Sequence, residues 1–275
     1  MKFATGWIRD FEDPRDYTVD SDEVVPFLLR REAFGNKDGK KIPNRYTIPS
    51  LPPIKQQGRI GSCTAHAATT MYEAYLQVAD LIGEPLSRRF LYKVTRNLMG
   101  EKSDSGAYLR TTMQAMAMFG IPPERYFKYS IKEYNREPSG FHYSMAQNYQ
   151  ALTYYRLDRR EKPEKTIDCI KTNIAANRAC MFGFVVFSNL KEDGDIQLPS
   201  RRDKVEGGHA VCAAGYNDIY KVGDSVGAFR IANSWGTEWG DDGFGWLPYD
   251  YVRFGLATDW WTIMKGEWLE LDCFK

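Results

Sequence analysis

The chain is poor in the residues that build metal centres: 275 residues carry three histidines and five cysteines. Cys63, Cys169, Cys180, Cys212 and Cys273 are scattered, with none of the close-spaced pairs that mark a zinc site, so neither metal nor cofactor is expected. An odd count without regular spacing also gives no disulfide framework. Cys169, Cys180 and Cys212 are expected instead as small core residues in a reducing compartment. Charge of one sign is also missing. The 37 basic and 36 acidic residues leave a net charge of +1, which argues against nucleic acid or an anionic membrane as the main partner. No apolar run approaches the roughly 18 residues of a membrane span. The opening Met1-Lys2-Phe3-Ala4-Thr5-Gly6-Trp7-Ile8-Arg9-Asp10 lacks the apolar stretch of a secretory signal, so a cytoplasmic location is expected. Internal repeats and low-complexity tracts are absent.

What the chain does have is enough apolar material, 43 % of its residues, for one large or two modest domains. Residues 1–44 are highly charged, with a Lys/Arg-rich stretch from Arg30 to Arg45 and only scattered apolar anchors such as Trp7, Ile8, Tyr17 and Phe27. They read as an extension laid over a folded body. Helical spacing then predicts four helices. The first starts at Cys63 under a Ser62 cap, turns Ala65, Ala67, Ala68, Met71, Ala74, Tyr75 and Val78 inward, and stops by Gly83. The second follows Ser87, with Phe90, Leu91, Val94 and Leu98 inward. The third carries Leu109, Met113 and Met116, and the fourth Ile167, Ile170 and Ile174. Beyond it come short β-prone runs at Cys180–Phe187, Ala210–Gly215, Ala228–Asn233, Phe244–Leu247 and Trp260–Met264. Helices first and strands afterwards predict an α+β fold of two unlike halves, residues 45–150 and 151–275.

Three segments carry chemistry. The run Gln57-Gly58-Arg59-Ile60-Gly61-Ser62-Cys63-Thr64-Ala65-His66 puts a cysteine at the first turn of a predicted helix, where the partial positive charge of the N-terminus favours a thiolate. Gly207-Gly208-His209-Ala210-Val211 puts a histidine at a strand entered from a tight turn. Ala232-Asn233-Ser234-Trp235-Gly236 supplies a group able to fix an imidazole ring. His66, on the same helix as Cys63, is read as structural, and His142 as a surface or loop histidine. The set resembles the papain-like cysteine peptidases, most specifically in the run from Asn233 to Phe244, and the resemblance covers residue 45 onward.

That resemblance implies a two-domain fold with a barrel-like strand-rich half and the active site in the cleft. It implies a thiol endopeptidase acting through an acyl-enzyme at Cys63, with His209 as base then acid, Asn233 orienting it, and Gln57 with the Cys63 amide binding the oxyanion. Gln56, beside Gln57, is expected as a solvated neighbour. Trp235 would screen the His209–Asn233 bond. Ser105 and Gly106 fall where the family binds extended peptide backbone, and Gly208 lets backbone approach. Gly183, Ala210 and Asp259 surround the pocket for the side chain second before the cleaved bond, where Asp259 could favour a basic residue. Thr64 and Ile60 replace the tryptophan and half-cystine usual in the family, pointing to a divergent microbial or viral branch. A polypeptide is the implied substrate, with residues 1–44 able to occlude the cleft or strap the helical half. Acyl transfer to an amine, and a peptide-binding pseudoenzyme, are the rival readings.

Overall fold

The computed structural model describes residues 4–26, 28, 42–79, 84–151, 153–158 and 162–265. Helix α1 (Cys63–Val78) is the spine, packed on one side by α2 (Arg88–Leu98) and α3 (Leu109–Met118) and on the other by the sheet. Its alanines explain the position. Ala65, Ala67 and Ala68 are buried, and their single methyl groups let neighbouring backbones approach on several sides. Glu73, near its middle, is buried but paired: it accepts from Lys55 Nζ and, at 2.8 Å, from the Leu86 N–H. Helix α2 is capped by the Ser87 hydroxyl, which accepts from the Phe90 N–H at 3.2 Å.

Two expectations for these helices need correction. Val78 and Leu98, read as core, are each 39 % exposed, because both sit in the last turn and project beyond the elements packed on their helices. Ser62 precedes α1 but its hydroxyl makes no cap bond; it bonds the Tyr129 hydroxyl at 2.8 Å instead. The expected stop at Gly83 lies outside the described residues. A further helix, α4 (Gly140–Ala146), was not anticipated. It is started by His142, whose Nδ1 accepts from the Ser139 N–H at 3.0 Å while Nε2 donates to the Tyr126 carbonyl at 3.1 Å. His142, read as a surface or loop histidine, is instead half-buried within this helix.

Helix α5 (Pro163–Ala175) turns Ile167, Ile170 and Ile174 inward. The sheet runs in the order β4 (Thr153–Arg156), β9 (Ala257–Lys265), β5 (Cys180–Phe187), β6 (Val205–Val222), β7 (Ser225–Ala232), β8 (Phe244–Pro248), with antiparallel pairing throughout. The 18-residue β6 shifts register at Ala213/Gly215 and Asn217/Lys221, bends there, and also pairs with β2 (Arg45–Thr47). Phe182 stacks on Trp260 at 3.8 Å between ring centres, and Trp260 also meets Phe229 at 5.2 Å, in the core of the strand-rich half. A last pair, β1 (Trp7–Ile8) parallel to β3 (Ala107–Tyr108), ties the start of the chain to the helical half.

Candidate active site

Cys63 opens α1 with its thiol fully buried. The first N–H groups of a helix have no intrahelical acceptor, and with Ser62 turned away to Tyr129 they stay open to the sulfur. The N–H groups of Cys63 and Thr64, with that of Ala210 from β6, all favour the thiolate, but burial outweighs them and pushes the thiol up to about 12.

His209 is built from the opposite wall. Its Nε2 lies 2.8 Å from Asn233 Oδ1, and the same oxygen accepts from the Ser234 N–H at 2.7 Å. A backbone N–H can only donate, so the atom facing both is the amide oxygen. Nε2 therefore carries the ring proton and Nδ1 keeps a free lone pair; Nδ1 is buried and has no hydrogen-bond partner. The Trp235 indole stacks on the ring at 4.2 Å and 19°, excluding water from the Nε2 bond. Burial holds the imidazole down to about 4. In the covered site burial therefore favours the neutral form of both groups, against the thiolate that the helix N-terminus favours.

Gln57 joins the two walls. Its N–H donates to the Ser234 carbonyl at 2.8 Å, its Oε1 accepts from Ser234 Oγ at 2.6 Å, and its Nε2 donates to the Ile60 carbonyl at 2.9 Å. Tyr129 donates to the Gln57 carbonyl at 2.8 Å. Gln56, expected as a solvated neighbour, instead donates from Nε2 to the Trp235 carbonyl at 2.8 Å, so both glutamines zip the loop before Cys63 to the loop after Asn233.

The cleft between these walls is filled by the chain's own beginning. The Ala4 carbonyl accepts from Trp235 Nε1 at 3.1 Å and from Gln57 Nε2 at 3.5 Å. Gly6 donates to the Gly208 carbonyl at 2.9 Å and accepts from the Ala107 N–H at 2.8 Å. Trp7 lies over Gly183 and Gly208, and its indole donates to Asp259 Oδ2 at 3.0 Å. Of the residues read as substrate contacts, Gly106, Gly183, Gly208, Asp259 and Trp235 thus all touch this segment. Ala210 pairs with Gly183 and serves Cys63 through its N–H, while Ser105 turns its hydroxyl back to the Gly106 carbonyl at 3.0 Å. Gly106 has φ +76, and a Cβ there would meet the Gly6 oxygen at 2.2 Å, so glycine is required twice over. His66 binds the Ser62 carbonyl through Nδ1 at 3.0 Å and meets Tyr129 edge-on, a helix-packing role.

Residues 41–261 match the model of the papain family of cysteine proteases. The chain belongs to that family. This papain-family protease is 30 % identical to the peptidase C1-like protein L477 of Acanthamoeba polyphaga mimivirus, across 94 % of this chain and 86 % of that one. It is 25 % identical to papain of Carica papaya, across 71 % of this chain and 51 % of that protein. Among solved structures it resembles xylellain, a cysteine protease from Xylella fastidiosa, with a TM-score of 0.78, 29 % identity and 97 % of both chains covered. The fold also matches procathepsin B of Trypanosoma congolense, with a TM-score of 0.70, 16 % identity, and 94 % and 85 % of the chains covered. The protease is a hydrolase acting on polypeptides, and no helix among the described residues is long and apolar enough to cross a membrane.

Sequence reasoning missed four residues of this protease's site. Asp104 accepts from the Gly61 N–H at 3.0 Å and the Tyr92 hydroxyl at 2.5 Å, fixing the loop before Cys63. Ser234 stands beside Asn233 and could have been read from that adjacency. Tyr129 and Arg156 carry no local signal for the site, because the residues they hold there, Gln57 and Asp259, are 72 and 103 residues away.

Proposed function

We propose that this protease hydrolyses peptide bonds with Cys63 as nucleophile and His209 Nδ1 as the proton carrier, and that residues 4–10 hold it latent until they leave the cleft. The observation that carries the reading is the tautomer imposed by Asn233 and Ser234, which leaves the one free ring lone pair at Nδ1. With a substrate in place of the segment, Nδ1 accepts the thiol proton as sulfur bonds to the scissile carbonyl carbon. The oxyanion takes hydrogen bonds from Gln57 Nε2 and the Cys63 N–H. Collapse breaks the C–N bond while Nδ1–H protonates the amine. Water, deprotonated at Nδ1, then cleaves the thioester and releases the acid. Asn233 orients without adding a negative charge, and Trp235 keeps its bond to His209 dry.

Latency is supported by the match between the segment and the residues a substrate would use: Ala4 holds the oxyanion amide, Gly6 the backbone of Gly208 and Ala107, and Trp7 a side-chain pocket. The test is turnover of a peptide library by the full chain, with Cys63→Ala as the control. A tryptic pulse that clips the segment should raise turnover in the native protein and leave Cys63→Ala inert. Amide products on addition of an amine, in place of free acid, would instead favour acyl transfer. Turnover surviving Cys63→Ala would refute the nucleophile.

A further inference from the structure

The Trp7 pocket has an unusual base. Asp259 is fully buried at φ +58, in the left-handed region that few non-glycine residues adopt, and its N–H is held by Asp158 Oδ2 at 2.7 Å. Arg156, itself buried, takes Asp259 Oδ1 through Nη2 at 2.6 Å and Asp158 Oδ1 through Nε at 2.6 Å. One carboxylate oxygen is therefore committed to a guanidinium, and the other faces the pocket, where it receives the Trp7 indole and the Asp10 N–H at 2.8 Å. The walls are flat by deletion: a Cβ on Gly183 would stand 2.0 Å from the indole, and one on Gly208 would stand 2.7 Å from it.

We propose that Asp259, fixed by Arg156, makes this pocket selective for a tryptophan side chain in the substrate, by requiring a flat bicyclic ring with a hydrogen-bond donor at its edge. A basic side chain, the preference the sequence suggested for Asp259, is disfavoured because Arg156 already pairs with that carboxylate: its guanidinium holds Oδ1 at 2.6 Å and would stand beside any incoming cation. A phenylalanine fills less of the slot and leaves the inner oxygen one donor short; a hydrogen bond to a charged group is worth about ten- to a hundredfold in binding.

This assignment rests on the peptidase reading, and its test separates the two. Full-length protein carrying Gly6→Ala with Trp7→Ala, which expels the segment from the cleft and vacates the pocket, is given peptides identical except second before the cleaved bond, where they carry tryptophan, benzothienylalanine (the same shape with sulfur for N–H) or arginine. The expected kcat/KM for tryptophan exceeds benzothienylalanine by about ten- to a hundredfold, with arginine lowest. Asp259→Asn in the same background should bring the first ratio near one, because Arg156 draws the amide oxygen and leaves the NH2 facing the indole donor. Arginine equal to tryptophan, or a tryptophan to benzothienylalanine ratio within about twofold, would overturn the assignment. If no peptide is turned over, the peptidase reading fails, and the same peptides are ranked by protection of Cys63 from iodoacetamide. Tryptophan strongest then supports the pocket assignment; equal or absent protection overturns it.

Discussion

The Gln57 side-chain amide points at the Ala4 carbonyl, 3.5 Å away, so the donor proposed for the reaction's oxyanion is already directed at a peptide oxygen of the same chain. Trp235 Nε1 holds that oxygen from a second side at 3.1 Å. Occlusion here is a matter of matched hydrogen bonds, and it places Ala4 and Trp7 at opposite ends of the filled cleft.

Backbone contact makes the segment easy to expel by one methyl group. A Cβ on Gly6 would stand 2.1 Å from the Gly61 oxygen and 2.6 Å from its Cα. Both are main-chain atoms next to Cys63 and cannot swing aside. Gly6→Ala is therefore expected to displace residues 4–8 while leaving the body folded. Iodoacetamide should alkylate Cys63 at least about tenfold faster than in the unaltered chain, the equivalent of a loss of some 1.4 kcal/mol of docking. An unchanged rate would show that the segment does not guard the thiol.

Gln57→Ala removes one of two oxyanion donors, a loss typically worth about a hundred- to a thousandfold in kcat. The fold should survive, because the Gln57 N–H to Ser234 carbonyl bond and the Tyr129 bond to the Gln57 carbonyl both use backbone atoms. The measurement is kcat and KM on a protein activated as above, alongside thermal unfolding. A fall confined to KM would move Gln57 from the transition state to ground-state binding.

Much of this site was legible because its chemistry is carried by short runs: Gln57 to Cys63, Gly208 to Ala210, and Asn233 to Trp235 each hold their members within a few residues. The fold class followed from the change of periodicity after Ile174. What could not be read was pairing across the chain. Trp7 was visible as an isolated apolar anchor, yet nothing local says that Gly183 and Asp259 receive it. Asp259 alone suggested a pocket for a basic side chain, since its partner Arg156 lies on another strand. The roles of Ser62 and Gln56 were misjudged for the same reason: Tyr129 and the Trp235 carbonyl, which claim them, are brought close only by tertiary packing. The expectations for Phe27 and for residues 30–41 lie outside the described residues.

The Lys55–Glu73 pair tests what holds α1 in place. Glu73 is 3 % exposed and its side chain bridges Lys55 and the Leu86 N–H. Glu73→Ala strands a buried ammonium and a backbone donor, and breaking such a pair typically costs about 3–5 kcal/mol. Denaturant unfolding should show a loss of that order with little change in slope. The double variant Glu73→Leu with Lys55→Met removes both charges and should recover most of it. If the single variant is nearly neutral, the pair does not support the helix.

The final prediction concerns pH. Asp10 accepts from the Arg110 N–H at 3.1 Å and is packed against Asp259, with Arg110, Arg156, Asp16 and Asp158 as the other charged groups around it. Burial, then repulsion from Asp259, raises its carboxyl from 3.8 to about 7 against the attraction of the two arginines; Asp259 is raised too, chiefly by burial. A carboxyl whose value is higher in the docked state takes up a proton on docking. Docking is therefore unpenalised below about 4, weakens by up to tenfold per unit as pH rises from about 4 to about 7, and levels off above. The segment is accordingly held more tightly in acid and loosened toward neutrality. Asp10→Asn mimics the protonated form and should flatten the dependence, with docking at pH 8 stronger than in the unaltered chain. The measurement is the ratio of Cys63 alkylation rates between the two proteins across pH 4.5 to 8, which cancels the titration of the thiol itself. A ratio independent of pH would show that Asp10 does not govern release, and a ratio of the opposite slope would show that the arginines outweigh the carboxylate pair.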